Sequence, residues 1–336
     1  MEEARFDVWK EPLNSYQMEV AAEPKCPLCG SIDTFRQTRL ETGTITKLWI
    51  ECQRDLVSRE FRGEQWIYVH RCRNCFLCFF EPMLPGSPAF YRSLQSFDWY
   101  YMEDKEEYEM AMKRIPRGAR LLEVGCGSGR FAKRLIGVHY TGLEYSESAV
   151  EVARAGDLDV RAQSVQEHSL THKSAYQVVC AFQVLEHVPQ PASFIAACID
   201  CLEVGGLLIY GVPSDDSFMR FAQNDTLNLP PHHMTRWPDK TLEAIPTFFP
   251  VSLVAIEHEL VSDIHLRGCV SVMIRKRINA LFNRSEEIVD RSFASRLVGK
   301  CANLLAGLAS PIFEDPVIRP RGHTVVATYR KQSPPS

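Results

Sequence analysis

Two rhythms of apolar positions divide this chain. From about residue 120 onward, short strand-like runs at 120–124, 139–143, 159–162, 176–182 and 207–212, mostly apolar, alternate with stretches of helical spacing at 129–136, 147–155 and 191–202. The run at 176–182 is almost continuously apolar, as a central parallel strand buried on both faces must be. The alternation predicts a doubly wound α/β sheet. Two further runs, 251–260 and 323–329, bring the predicted strands to seven. An insertion at about 265–312 separates them and carries two amphipathic, partly basic stretches, 274–282 and 298–308. Its plainest reading is a helical lid packed on the domain; a dimer contact and a membrane-brushing surface are the alternatives. Short helices are expected at about 89–96, 103–115 and 238–245, and the 191–202 helix is expected to stop at Gly205-Gly206.

Ahead of this pattern the periodicity weakens. Residues 1–24 read as a polar lead-in and 332–336 as a disordered tail. Residues 25–88 read as a small β-rich module with strand-like runs at 44–50 and 66–69, closed by a linker with Pro82, Pro85 and Pro88. The larger domain then spans 89–331. Cysteine placement explains how so small a module holds together. Cys26-Pro27-Leu28-Cys29 and Cys72-Arg73-Asn74-Cys75 are two C-x2-C knuckles, which aim four sulfurs at one ion and predict a structural zinc site. Incidental core thiols and, with Cys78 in register, an iron–sulfur cluster are the competing readings. Cys52 and Cys78 read as small hydrophobes, and Cys198 and Cys201, on an apolar helical face, as core.

Composition narrows the classes further. A net charge of −4 gives no global drive toward nucleic acid, and no apolar run approaches the ~20 residues of a membrane span. The start, Met1-Glu2-Glu3-Ala4-Arg5, lacks the apolar centre of a secretory signal. Twelve cysteines without such a signal favour metal binding or buried thiols over disulfides and place the chain in the cytoplasm.

The candidate chemistry centres on Leu121-Leu122-Glu123-Val124-Gly125-Cys126-Gly127-Ser128-Gly129-Arg130. It reads as strand, glycine turn and helix start, a place where backbone meets ligand directly. A dinucleotide fingerprint needs G-x-G-x-x-G, whereas this spacing is G-x-G-x-G with the bulky Arg130 next. Glu123, two residues before the first glycine, suits a ligand carrying an ammonium. Glu144, at the end of the next strand, suits two ribose hydroxyls, with Tyr145 beside it.

Here the chain resembles the class I S-adenosylmethionine-dependent methyltransferases, whose first motif is E/D-x-G-x-G-x-G with an acid ending the second strand. The resemblance implies a Rossmann-like seven-stranded sheet and S-adenosylmethionine as cofactor. It implies methionine contacts from Glu123 and the loop of Gly125, Cys126, Gly127 and Gly129, and adenine contacts from Gln163, Ser164, Val165, Gln183 and Val184. The acid that many members carry after strand 3 is missing here. In related enzymes a leading helix covers the cofactor, so Tyr100 or Tyr101 would touch its methionine end, or else simply dock the helices on the sheet. The string Val184-Leu185-Glu186-His187 is widespread among small-molecule members and turns His187 toward the active-site mouth, unless backbone groups satisfy its ring. The cysteine pairs, with Phe79-Phe80-Glu81-Pro82 and Phe90-Tyr91, resemble a bacterial group with an N-terminal zinc ribbon, many linked to sugar, cell-envelope or natural-product chemistry. Phe76 stands where that group usually has glycine.

The acceptor side is read from Pro230-Pro231-His232-His233, on a loop interrupting the sheet after strand 5. Adjacent histidines can take a hydroxyl proton as a methyl arrives; alternatively one braces the loop and the other meets solvent. A catalytic metal held by both is disfavoured, because no nearby carboxylate completes a ligand set. The sequence thus predicts methyl transfer, with oxygen the favoured nucleophile over carbon or nitrogen, to a small-molecule, glycan or glycolipid acceptor. The rivals are a non-catalytic ribbon adaptor with a vestigial fold, and a protein or RNA methyltransferase.

Overall fold

A computed structural model describes residues 23–52, 57–95 and 105–333. The lead-in, apart from residues 23 and 24, most of the tail, and Tyr100 and Tyr101 lie outside them. The elements, in chain order, are β1 (Thr34–Glu41), α1 (Thr42–Cys52), α2 (Val57–Glu60), β2 (Trp66–Cys72), β3 (Cys78–Glu81), α3 (Pro88–Gln95) and α4 (Glu106–Met112). Then follow β4 (Arg120–Val124), β5 (His139–Leu143), α5 (Glu147–Ala155), β6 (Val160–Arg161), α6 (Val165–Thr171), β7 (Tyr176–Phe182), α7 (Pro191–Cys201) and β8 (Leu202–Pro213). The chain finishes with β9 (Thr235–Arg236), α8 (Asp239–Ala244), β10 (Val251–Leu260), α9 (Asp263–Leu281), α10 (Phe293–Ala309) and β11 (Arg321–Lys331).

Seven strands form the main sheet in the order β10-β11-β8-β7-β4-β5-β6, as the apolar runs predict. Strands β8, β7, β4, β5 and β6 are parallel, and β11 inserts antiparallel between β8 and β10. Strand order reverses between β4 and β7, which opens a crevice beyond their carboxyl ends. The centre of the sheet is fully apolar: Val178, Val179, Cys180, Leu121, Leu122, Leu208 and Ile209 are buried. Helix α7 starts on Pro191 and lays Phe194, Ile195, Cys198 and Cys201 into the same core, so both cysteines are packing residues.

The second sheet, β1-β2-β3-β9, is antiparallel. Its last strand does not come from the N-terminal module. β9 lies in the loop after β8, and pairs Cys78 with Arg236 and Phe79 with Thr235. The expected boundary at residue 88 is therefore crossed by a shared sheet. A partly buried Arg71–Asp215 ion pair of 2.9 Å and the bonds Phe80 N–H to Met234 O (3.1 Å) and Gly86 N–H to Pro231 O (2.8 Å) reinforce the join.

Four local expectations fail for identifiable reasons. Residues 44–50 are helical, within α1: Ile45, Leu48 and Trp49 are buried at helical spacing, and this outweighs the β-branched composition. β1, which precedes α1, escaped notice because its exposed face is polar. The helix expected at 129–136 shrinks to a 3-10 turn over Ala132–Arg134. Gly129 and Gly137, both at positive φ, leave too few residues between them to repay helix nucleation. Gly205 and Gly206 do not end α7 but sit inside β8, where its register to β7 shifts between Tyr176 and Val178.

The insertion is a helical hairpin, α9 against α10, with Leu266, Cys269, Val270 and Ala306 buried together. No described helix is long and apolar enough to cross a membrane.

Candidate active site

A cavity of about 1450 Å³ opens over the carboxyl ends of β4, β5 and β7. The glycine turn forms one wall. Gly125 adopts φ +74°, and a Cβ there would stand 2.4 Å from Val184 Cγ2, so only glycine lets the two walls close together. Gly129 adopts φ +76° but faces Leu158, 2.2 Å from where its Cβ would be; it serves packing and does not line the cavity. Cys126 and Gly127 do line it.

Two carboxylates frame this wall. Glu123 is 2% exposed, accepts a 2.6 Å hydrogen bond from Tyr140 Oη, and is pushed up to about 8 by burial. Glu144 accepts from the backbone N–H groups of Gly127 (2.9 Å), Tyr145 (2.9 Å) and Ser146 (2.8 Å). Tyr145 lines the cavity with its side chain largely exposed. A buried acid able to meet a cation and a second acid tied to the turn fit a ligand with an ammonium at one end and hydroxyls further along, as S-adenosylmethionine has.

The opposite wall follows β6 and β7. Gln163 and Val165 line it, with the Gln163 amide hydrogen-bonded to His168. Ser164 does not: its hydroxyl accepts from Glu167 N–H and the Glu167 carboxylate accepts in return, a capping box that starts α6. Gln183 holds φ +56°, unusual for a residue with a side chain. Its N–H donates to Gly211 O (2.8 Å) and its amide to Glu107 Oε2 (2.8 Å), which fixes that conformation beside Val184.

At the far end stand His187, His232 and His233, with ring centroids 4.5–4.9 Å apart. Burial lowers His187 to about 4 and, with neighbouring imidazoles, holds His232 and His233 well below their usual range. All three are therefore neutral near pH 7. Each presents Nδ1 to an oxygen: His187 to His232 O (2.6 Å), His232 to Leu227 O (2.7 Å), His233 to Asn228 Oδ1 (3.3 Å). The acid thought absent from this region is Glu186. It is 1% exposed and lies 3.6 Å from His187 Nε2 and 4.0 Å from His233 Nε2. Sequence reading also passed over Glu107, buried in α4, and Tyr91, whose hydroxyl donates to His232 O at 3.3 Å. The signal for Glu186 was present as an acid inside an otherwise apolar turn.

The cysteines meet as well. Cys26 and Cys75 sulfurs are 3.4 Å apart and those of Cys29 and Cys72 3.6 Å, and all four lie within 4.8 Å of one another. Those separations exceed the ~2.05 Å of a disulfide and approach the ~3.8 Å edge of a tetrahedron with ~2.3 Å zinc–sulfur bonds.

The family model for a methyltransferase domain matches residues 100–246. The ubiquinone biosynthesis O-methyltransferase of Thiobacillus denitrificans is 36% identical over 101 residues, 28% of this chain and 44% of that protein. Its namesake from Hydrogenovibrio crunogenus is 32% identical over 123 residues, 33% and 51% of the two chains. The chain thus spans about half the length of these relatives. A solved S-adenosylmethionine-dependent methyltransferase from Archaeoglobus fulgidus aligns at TM-score 0.43 and 16% identity, covering 73% of this chain and 95% of that one.

Proposed function

Because the chain carries a class I S-adenosylmethionine-dependent methyltransferase domain, we propose that it moves a methyl group from that cofactor to an oxygen of a small organic acceptor. The observation that carries this reading is a single cavity bounded by Glu123, the glycine turn and Glu144 at one end and three clustered imidazoles at the other. Glu123 and the Gly125–Gly127 backbone hold the methionine portion, Glu144 the ribose, and Gln163, Val165, Gln183 and Val184 frame the adenine. The bound cofactor supplies an electrophilic methyl on a sulfonium.

The protein's own part is to seat the acceptor, exclude water and receive a proton. An imidazole Nε2 facing the cavity accepts the acceptor's hydroxyl proton as the new oxygen–carbon bond forms and the carbon–sulfur bond breaks. Low imidazole basicity suits an acidic hydroxyl, as on a phenol or a polarised sugar. Relatives named as O-methyltransferases support oxygen, and the ribbon resemblance supports a carbohydrate or natural-product acceptor. The four thiolates would hold structural zinc, bracing β2 and β3.

Glu144→Ala is expected to weaken cofactor binding about 10- to 100-fold by calorimetry, the range of ~1.5–3 kcal/mol for hydrogen bonds to a charged group. Unchanged affinity would sink the ribose assignment. His233→Ala is expected to lower turnover about 10²–10⁴-fold with cofactor affinity intact.

A further inference from the structure

We propose that His187, His232 and His233, backed by Glu186, form a binding site for a divalent transition-metal ion, separate from the four-cysteine cluster. The three imidazoles come from two distant stretches of chain, the turn after β7 and the loop before β9, yet their candidate ligand atoms lie within 4.8 Å of one another. A carbonyl or amide oxygen can only accept, so the three contacts described above put a proton on each Nδ1 and the lone pair on each Nε2. Donation from the far ring nitrogen to a fixed oxygen is how proteins orient metal-binding histidines.

Glu186 supplies the second, independent sign. Among the described residues neither of its carboxylate oxygens has a hydrogen-bond partner, although both are buried. Buried polar atoms are almost always satisfied. His187 Nε2 and His233 Nε2 stand 3.6 and 4.0 Å from its Oε1 and in this tautomer are acceptors themselves. Burial raises the Glu186 carboxyl to about 8; once ionised it leaves, among the described residues, only acceptors round this point, the arrangement a cation satisfies. Three imidazole nitrogens suit zinc, cobalt or iron better than magnesium, which prefers oxygen. Three histidines with an open position match sites that activate a bound oxygen. On the methyl-transfer reading, that oxygen is the acceptor's hydroxyl. The ion then polarises it, and Glu186 in place of an imidazole receives the proton.

The site is tested by metal counting on the full chain without cofactor or acceptor, so that a failure to transfer methyl groups and a failure to bind metal are separate results. Cobalt(II)-loaded protein, desalted and analysed for metal, is expected to hold two ions per chain, of which only one gives sulfur-to-metal charge-transfer absorption. His187→Ala and His233→Ala are each expected to reduce the count to one and keep the sulfur band. Glu186→Gln is expected to weaken the second ion about 10- to 100-fold, and excess magnesium not to displace it. One ion per wild-type chain with the sulfur band, or two ions retained in both histidine variants, would overturn the proposal. Should the variants fold poorly, X-ray absorption of zinc-loaded wild type decides: nitrogen beside sulfur around zinc supports the site, sulfur alone refutes it.

Discussion

Glu123 sits in the glycine-turn wall as a neutral acid at physiological pH, since burial raises it from 4.5 to about 8. The unfolded chain ionises this group near 4.5 while the folded protein keeps it protonated. Its contribution to the apo protein is therefore whole below 4.5 and lost progressively as pH rises toward 8. Cofactor binding runs the other way if the ammonium needs the carboxylate: affinity should rise up to about tenfold per pH unit between pH 6 and 8, and Glu123→Gln should flatten that slope in calorimetric titrations. Phe76 makes a second residue-scale case. Its φ of +63° explains why glycine is usual there, because a side chain in this region costs ~1–2 kcal/mol. Phe76→Gly should raise the denaturation midpoint slightly, by less than that cost, since the Lys240 ammonium loses the ring it covers at 5.1 Å. A lower midpoint would mean the ring contact outweighs the strain. Glu123, Glu144 and the glycines were legible because turn geometry and charge are local. Glu186 was not, since its environment depends on a loop about 46 residues away.

At the scale of elements, long and strongly patterned segments read well. The run 176–182 became β7, 251–260 became β10, and the hairpin α9–α10 fell where two amphipathic stretches stood. Reading failed where length or context decided. The segment after Gly129 had helical spacing but only about two turns' worth of room before Gly137. No long helix begins at the glycine turn, so charge recognition on this wall rests on the two carboxylates and not on a helix dipole. β9, two residues long, has no periodicity to find; only pairing with β3 makes it a strand.

Across the whole molecule, the cysteine cluster and the histidine loop belong to one stitched unit. The Cys72–Cys75 knuckle joins β2 to β3, β3 pairs with β9, and β9 follows His233 by one residue. Loss of the zinc proposed for the four thiolates is therefore expected to reach the acceptor end while sparing the glycine turn. Cys29→Ser, at the most exposed of the four ligands, should lower the melting temperature and turnover yet leave cofactor affinity close to wild type. A parallel loss of cofactor binding would show that the disturbance spreads through the whole sheet. The fold class was visible in the chain because the longer main-sheet strands carry their own apolar signals, whereas β6 (Val160–Arg161) and the coupling between modules have none.

The shared strand sets a limit on recombination. A ribbon excised at residue 88 and grafted onto a methyltransferase domain would arrive with β3 as a bare edge and Phe79 uncovered. The donor domain left behind would keep a histidine loop stripped of its β3 pairing and held on one side only, where Met234 N–H donates to Glu186 O (2.7 Å). Lineages that shuffle this ribbon must carry the segment around 229–237 with it, so the two stretches should be inherited, lost and redesigned together as one cassette split across the chain.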